Sequence, residues 1–338
     1  MARLQHLPHS GAGRTADRLT GATFADVVFF GNSGSEAIEC AIKTARRYHH
    51  VNGQSERIDV IGFAGSFHGR TYAAVNASGN AAYLDGFGPR LPGFIQLHVD
   101  DMAAIEKAIA SPTTAALIVE PVQGEGGARA LSGEWLANVR KRCTEAGVLL
   151  IYDEVQSGMG RTGKLFAHQW FDGCEPDIMA VAKALGGGFP VGACLASAEA
   201  AKGMVFGTHG STYGGNPLAM AAGNAILDVM LEPGFFEGVA AKGERLRGAL
   251  EQLIPNHDGV FEEVRGLGLM LGLKLKPEVE ARAFVAHLRD DHGLLTVSAG
   301  ENVVRILPPL VIEDSHIAEA IEKLSAGAAS YKVPEAAT

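Results

Sequence analysis

The sequence predicts an α/β protein: a large domain built around a buried sheet, followed by a smaller α+β domain. Two observations carry this. Short continuous apolar runs, of the kind found in strands covered on both faces, alternate with stretches of helical period. After Glu232-Pro233-Gly234 the rhythm changes to helices and paired short strands. The partition is a leading segment at 1–23, a large domain at 24–232 and a small domain at 233–338.

Taken in order, residues 26–30 read as a strand and 35–49 as a helix with Ile38, Ile42 and Ala45 on one face. Residues 60–63 are a strand, 101–110 a helix and 115–119 a strand. A helix at 134–146 feeds the apolar run 148–152, which ends on Asp153. The run 178–182 ends on Lys183, and 191–196 is a further strand before a long helix at 217–231. Beyond the break come a helix (236–253), two strands around Gly266 and Gly268, and a helix at 278–292. Two short strands and a helix at 314–323 follow, and 333–338 reads as a frayed tail.

At 338 residues the chain holds one large core or two domains, and 47% hydrophobic against 20% charged content is that of a globular protein. A net charge of −9 argues against nucleic acid or an anionic membrane as partner. Cys40, Cys143, Cys174 and Cys194 are scattered, with no Cys-x-x-Cys pair and no clustered histidine. That pattern points to reduced thiols in a cytoplasm and to no metal site. No apolar run reaches the length of a membrane-spanning helix, and no signal-peptide core follows Met1.

Asp153 and Lys183 are the most informative pair. A carboxylate and an amine at the tips of two buried strands suit a pyridoxal phosphate site: the lysine forms a Schiff base with the aldehyde, and the aspartate keeps the pyridine nitrogen protonated. Two residues alone do not decide it. Between the first strand and its helix lies Gly31-Asn32-Ser33-Gly34-Ser35-Glu36. Ser33 and Glu36 have capping-box spacing, and the same helix start offers N–H groups and hydroxyls to a phosphate; the two readings do not exclude each other. Gly186-Gly187-Gly188 gives either an ordinary loop or a tight turn beside a bulky cofactor. Gly11-Ala12-Gly13-Arg14-Thr15-Ala16 matches a dinucleotide fingerprint, but residues 5–10 do not read as the strand it needs.

Several motifs follow one another: Asn32-Ser33-Gly34-Ser35-Glu36-Ala37, Ser66-Phe67-His68-Gly69-Arg70-Thr71 and Glu120-Pro121-Val122-Gln123-Gly124-Glu125-Gly126-Gly127. Then come Asp153-Glu154-Val155-Gln156-Ser157-Gly158-Met159-Gly160-Arg161-Thr162-Gly163, Lys183-Ala184-Leu185-Gly186-Gly187-Gly188 and Gly210-Ser211-Thr212-Tyr213-Gly214-Gly215-Asn216-Pro217. In this order, over about 23–329, they closely resemble the class III (ω-amino) aminotransferases of pyridoxal phosphate fold type I, most nearly the acetylornithine aminotransferases. The resemblance implies a mostly parallel central sheet.

It also implies roles. Lys183 would bind the aldehyde and then shuttle the substrate proton, and Asp153 would pair with the pyridine nitrogen. Gln156 would reach the ring's phenolic oxygen, and Val155 and Phe67 would enclose the ring. Ser33, Gly34 and Ser35 would hold the phosphate, joined by Thr212 from a second subunit, so that a homodimer is required. Arg70 and Ser211 would bind substrate, and Arg305 would grip the α-carboxylate of glutamate. Glu125 would pair with that arginine when an ω-amine enters. The implied reaction is transfer of the δ-amino group of N-acetylornithine to 2-oxoglutarate, giving N-acetylglutamate semialdehyde and glutamate in arginine biosynthesis. Succinylornithine, ornithine or 4-aminobutyrate are the alternative donors. Family members carry a further segment ahead of the position matching Leu4, so residues 1–23 read as its remnant, with 14–19 in a helix. This sets aside a transit-peptide reading of the arginine-bearing, acid-free first sixteen residues. A shortened member with little activity is the remaining alternative.

Overall fold

The computed structural model describes residues 11–332. The expected tail at 333–338, the stretch 5–10 ahead of the Gly11 motif and the start at Met1 lie outside them. Within the described residues the strands begin with β1 (Val27–Gly31), β2 (Asp59–Phe63), β3 (Phe94–Leu97), β4 (Thr114–Val119), β5 (Val122–Gln123) and β6 (Arg129–Ala130). They continue with β7 (Leu149–Asp153), β8 (Ile178–Val181), β9 (Gly192–Ala196), β10 (Phe261–Leu267), β11 (Met270–Leu275), β12 (Val297–Ala299) and β13 (Val303–Ile306). They fall into two compact units. The first runs up to Pro121 and takes in Leu131–Met159 and Phe166–Pro233. The second consists of Val122–Ala130, Gly160–Leu165 and the chain from Gly234 on.

The first unit is built on a sheet of order β1-β9-β8-β7-β4-β2-β3, in which only β9 runs against its neighbours. Its central strands β4, β7 and β8 are buried at every residue, which is why they lack the polar alternation of a half-exposed strand. The helix Gly34–Val51 covers one face. Its Ile38, Ala41, Ile42 and Ala45 pack with Val60, Ile118, Ile151, Ala180 and Cys194. Ile38 is fully buried, so truncating it to alanine costs about 2–5 kcal/mol. β7 and β8 are parallel neighbours with Asp153 opposite Ala180, and both carboxyl ends open on the same side. Asp177 fixes their entry, accepting from Leu150 N at 2.7 Å and from Arg140 at 2.8 Å. In open parallel sheets this carboxyl edge is where ligands bind.

Gly11 to Ala16 lie inside the helix Gly11–Gly21, so the glycines of the dinucleotide fingerprint form no strand-to-helix turn. The helix instead packs on Pro217–Met230, where Arg18 donates to the Asn224 carbonyl (2.9 Å) and Asn224 donates to Thr15 Oγ1 (2.8 Å).

The second unit carries an antiparallel sheet of order β10-β11-β13-β12. Helices Phe235–Asn256, Ala281–His292 and Asp314–Ser330 give its core Leu246, Leu250, Phe284, Leu288 and Leu324, against Leu271, Leu273 and Val304 of the sheet. Two strips from earlier in the chain belong here. The β5–β6 hairpin docks through its loop, Gly300 N donating to the Glu125 carbonyl at 2.8 Å. Arg161, in the second strip, donates to the carbonyls of Leu269 (3.2 Å) and Pro308 (2.5 Å). Both strips lie inside the 24–232 stretch of the sequence partition; their partners sit more than a hundred residues downstream, where positional reading does not reach. Among the described residues, no helix is long and apolar enough to cross a membrane.

Candidate active site

Four chain segments converge at the carboxyl edge of the first unit's sheet. Asp153 closes β7 and is nearly inaccessible, with 3% of its surface exposed. Its Oδ1 accepts from Val155 N at 3.0 Å, and its Oδ2 lies 2.8 Å from His68 Nδ1. Neighbouring side chains on a strand face opposite ways. Glu154 accordingly turns away from Asp153 and accepts from Ala167 N (2.5 Å), His168 N (2.9 Å) and His168 Nδ1 (2.8 Å). Of the two consecutive acids, one faces the site and the other anchors a turn.

Lys183 follows β8 and opens the short 3₁₀ turn Lys183–Gly186. Its φ of +44° is left-handed, a costly conformation for a residue with a side chain and one that clusters at functional sites. The strand exit is thus bent sharply at the amine.

The third segment is the start of the helix Gly34–Val51. Ser33 caps it, accepting from Glu36 N at 3.2 Å. The reciprocal half of the capping box falls one residue earlier, because the Glu36 carboxylate reaches the backbone N–H and the side-chain amide of Asn32. A Cβ on Gly34 would stand 2.9 and 3.0 Å from the two γ-carbons of Val155 and 3.6 Å from Ala182 Cβ. Helix start, β7 exit and β8 exit therefore meet at this glycine.

The fourth segment is the loop after β2. Gly69 (φ +128°) sits so close to Ser35 that a Cβ there would overlap the serine hydroxyl. Phe67 N donates to Glu120 Oε1 at 2.8 Å. Arg70 stacks over the Tyr83 ring at 3.7 Å and lies 5.5 Å from the Phe67 ring. Ser211 Oγ accepts from Asn32 Nδ2 (3.2 Å) and Gly214 N (3.0 Å), and the adjacent Thr212 is exposed.

Within the first unit the structure thus brings together Ser33, Gly34, Ser35, Phe67, Arg70, Asp153, Val155, Gln156, Lys183 and Ser211. Glu125 and Arg305 meet within the second unit. Arg305 Nη1 lies 2.7 Å from Glu125 Oε1, and the arginine side chain is 7% exposed. Its Nε is buried with no hydrogen-bond partner. Sequence reading passed over His68, Glu120 and Tyr83. Two of these lie within motifs already singled out, next to Phe67 and ahead of Pro121, which was the signal available.

His68 is wholly buried. Burial pulls its pKa down, but the hydrogen bond and charge of Asp153 and the charge of Glu120 outweigh this and leave it above the ordinary histidine value.

Residues 2–327 match the family Aminotransferase class-III. The chain belongs to the class III aminotransferases. Acetylornithine aminotransferase 2 of Caulobacter vibrioides is 58% identical over 322 residues, 95% of this chain and 79% of that protein. Among solved structures, N-acetylornithine aminotransferase of Stenotrophomonas maltophilia is 37% identical, with a TM-score of 0.81 over 95% of this chain and 80% of that one. The ornithine aminotransferase of Toxoplasma gondii reaches a TM-score of 0.88 at 32% identity, over 94% and 75% of the two chains. The protein is therefore an enzyme that takes an amino donor and a keto-acid acceptor, with pyridoxal 5'-phosphate as cofactor. This aminotransferase is fit for that cofactor. The amide oxygen of Gln156 and Nε2 of His68 are buried at the site with no hydrogen-bond partner, and the glycine at position 34 leaves a helix N-terminus open beside Val155.

Proposed function

We propose that this aminotransferase moves the δ-amino group of N-acetylornithine to 2-oxoglutarate, giving N-acetylglutamate semialdehyde and glutamate in arginine biosynthesis. The observation that carries it is the Arg305–Glu125 pair. Such an enzyme must accept glutamate, with two carboxylates, and also an amine whose reacting end has none. A buried guanidinium with an unused Nε–H suits bidentate capture of a carboxylate, and a part-exposed glutamate can neutralise it when that carboxylate is missing. The donor is taken from the relatives named for it.

Bound cofactor supplies an electron sink for the charge left when the amine-bearing carbon loses its proton. The protein does the rest. Lys183 would hold the cofactor and carry the proton at Nζ. Asp153 would face the ring nitrogen, Val155 and Phe67 would cover the two ring faces, and the side-chain amide of Gln156 would reach the phenolic oxygen. Ser33, Gly34 and Ser35 offer N–H and hydroxyl groups to the phosphate at the positive end of a helix dipole. Arg70, stacked over Tyr83, would bind substrate carboxylate, and Ser211 would be a further substrate contact. Thr212 of the partner subunit would complete the phosphate site in a homodimer. Exposed Phe206, Tyr213 and Leu218 flank that threonine in sequence and support a covered surface there. Four free, buried cysteines support the cytoplasmic placement.

The test is a single half-reaction of the loaded enzyme with each amine, followed by cofactor absorption. N-acetylornithine should convert the cofactor faster than succinylornithine, ornithine or 4-aminobutyrate. A rate no faster than that of 4-aminobutyrate removes the donor assignment. Cofactor that stays covalently attached after Lys183→Ala removes the lysine.

A further inference from the structure

Arg70 and Arg305 are held in different ways. Arg305 lies against Glu125 and is almost enclosed, so a carboxylate that binds it must displace an acid. Among the described residues no carboxylate pairs with Arg70. Its guanidinium lies over the Tyr83 ring at 3.7 Å and stands 5.5 Å from the Phe67 ring. A guanidinium is flat, and stacking on a ring uses only its face. The N–H groups point outward in its plane and stay open to a carboxylate as a two-pronged donor. An acid partner would occupy that edge; an aromatic partner leaves it open and the positive charge uncompensated.

Both members of the stack are fixed from behind. Arg70 N donates to Ser35 Oγ at 3.4 Å, and the next residue, Thr71, donates its hydroxyl to Glu39 Oε1 at 2.5 Å. The backbone at Arg70 is thereby tied to the helix Gly34–Val51. Tyr83 stands on the short helix Ala81–Leu84, capped by Asn80, whose Oδ1 accepts from Ala82 N at 3.0 Å. Its ring also meets Phe67 edge-on, with centroids 5.9 Å apart and planes at 85°. Tyr83 is half-buried, whereas Arg70 is exposed. An exposed arginine with no partner spreads over many rotamers; the ring narrows these to the few that keep the stack.

We propose that Tyr83 is a positioning residue for substrate selection: its ring holds Arg70 with the N–H edge free, so that the enzyme takes amines carrying a carboxylate over otherwise identical amines that lack one. This rests on the assignment of Arg70 to substrate carboxylate made above.

The experiment compares two donors on the full chain loaded with cofactor: N-acetylornithine and N-acetylputrescine, which is the same molecule without its carboxylate. Calorimetry with N-acetylnorvaline, which keeps the carboxylate and lacks the reacting amine, reads binding without chemistry. Tyr83→Leu removes the ring face, Tyr83→Phe keeps it, and Arg70→Ala is the control. Tyr83→Leu should raise the KM for N-acetylornithine and the dissociation constant of N-acetylnorvaline about fivefold, with kcat little changed and N-acetylputrescine unaffected. Tyr83→Phe should behave as the unaltered protein. Should Tyr83→Leu fail to fold, Tyr83→Gln gives the same reading. In a folded ring-less variant, an unchanged or lowered KM, or an equal rise for both donors, overturns the proposal for Tyr83; lost discrimination in Arg70→Ala then leaves Arg70 in place. If Arg70→Ala discriminates between the donors as well as the unaltered protein does, the assignment of Arg70 itself falls.

Discussion

Gly34→Ala isolates a steric effect at the point where three segments meet. Gly34 does not occupy the left-handed region, so alanine meets no backbone penalty there. Its methyl group would meet Val155 Cγ1 at 2.9 Å and Cγ2 at 3.0 Å. Carbon atoms rest about 3.5–4.0 Å apart, so both contacts are short by roughly 0.5–1 Å. Val155 is β-branched with a stiff χ1, and rotating it only exchanges one γ-carbon for another. Overpacking of this kind costs about 1–3 kcal/mol, against a gain of at most about 1 kcal/mol from replacing glycine in a helix. The net loss is on the order of 1–2 kcal/mol. Urea melts of the cofactor-free protein should show it. Cofactor titration should show binding about tenfold weaker, as the helix start is pushed from its place. Combining the change with Val155→Ala removes both clashing atoms and should recover most of the stability lost to the alanine. Strictly additive effects in that double-mutant cycle would refute the steric account.

Two further expectations concern other parts of the molecule. Glu125→Ala leaves Arg305 permanently open to carboxylates: the KM for 2-oxoglutarate should fall while the half-reaction with the amine donor slows about tenfold, and an unchanged ratio of the two half-reactions would count against the pairing. Burial, partly opposed by Arg140 and reinforced by Asp177, pushes the Cys143 thiol up to about 12 from an ordinary 9.0. The folded state therefore keeps this proton where the unfolded chain loses it. Its contribution to stability is intact below pH 9 and is lost as pH climbs from there toward 12. Urea stability should decline over that window less steeply in Cys143→Ala, and a thiol reagent at pH 8 should label Cys143 only after unfolding.

The strand ends were legible in the sequence because buried parallel strands write themselves as unbroken apolar runs, and Asp153 and Lys183 interrupt two of them. The helix Gly34–Val51 was equally plain, with its serine cap and apolar stripe. β3 was not, since Phe94–Leu97 is a half-buried edge strand with no continuous buried run. The helix Tyr72–Ser78 is short and alanine-rich, and gives too few turns for a period to show. The helix expected at 278–292 starts at Ala281 because the Glu280 side chain caps it, accepting from Arg282 N and Ala283 N. The last helix runs on to Ser330 through Ala326, Gly327 and Ala328, which carry little apolar signal although Gly327 and Ala328 are buried. His68 stayed unread for another reason. Its partner is 85 residues away, and a histidine in a motif does not announce which carboxylate it will meet.

The order in which the chain emerges gives the two arginine-bearing strips a timetable. Everything from Ser33 to Thr212 is made before residue 234, whereas Glu125 must wait for Arg305, 180 residues later. At about 5–20 residues per second, that wait is roughly ten to forty seconds. During it the hairpin of Val122–Ala130 has emerged without the sheet on which it docks. Lys183 and the other residues this chain is proposed to give to the cofactor are made before the arginine proposed to choose the substrate. A nascent chain would thus carry its own share of the proposed cofactor site first and the residue proposed to select its amine last.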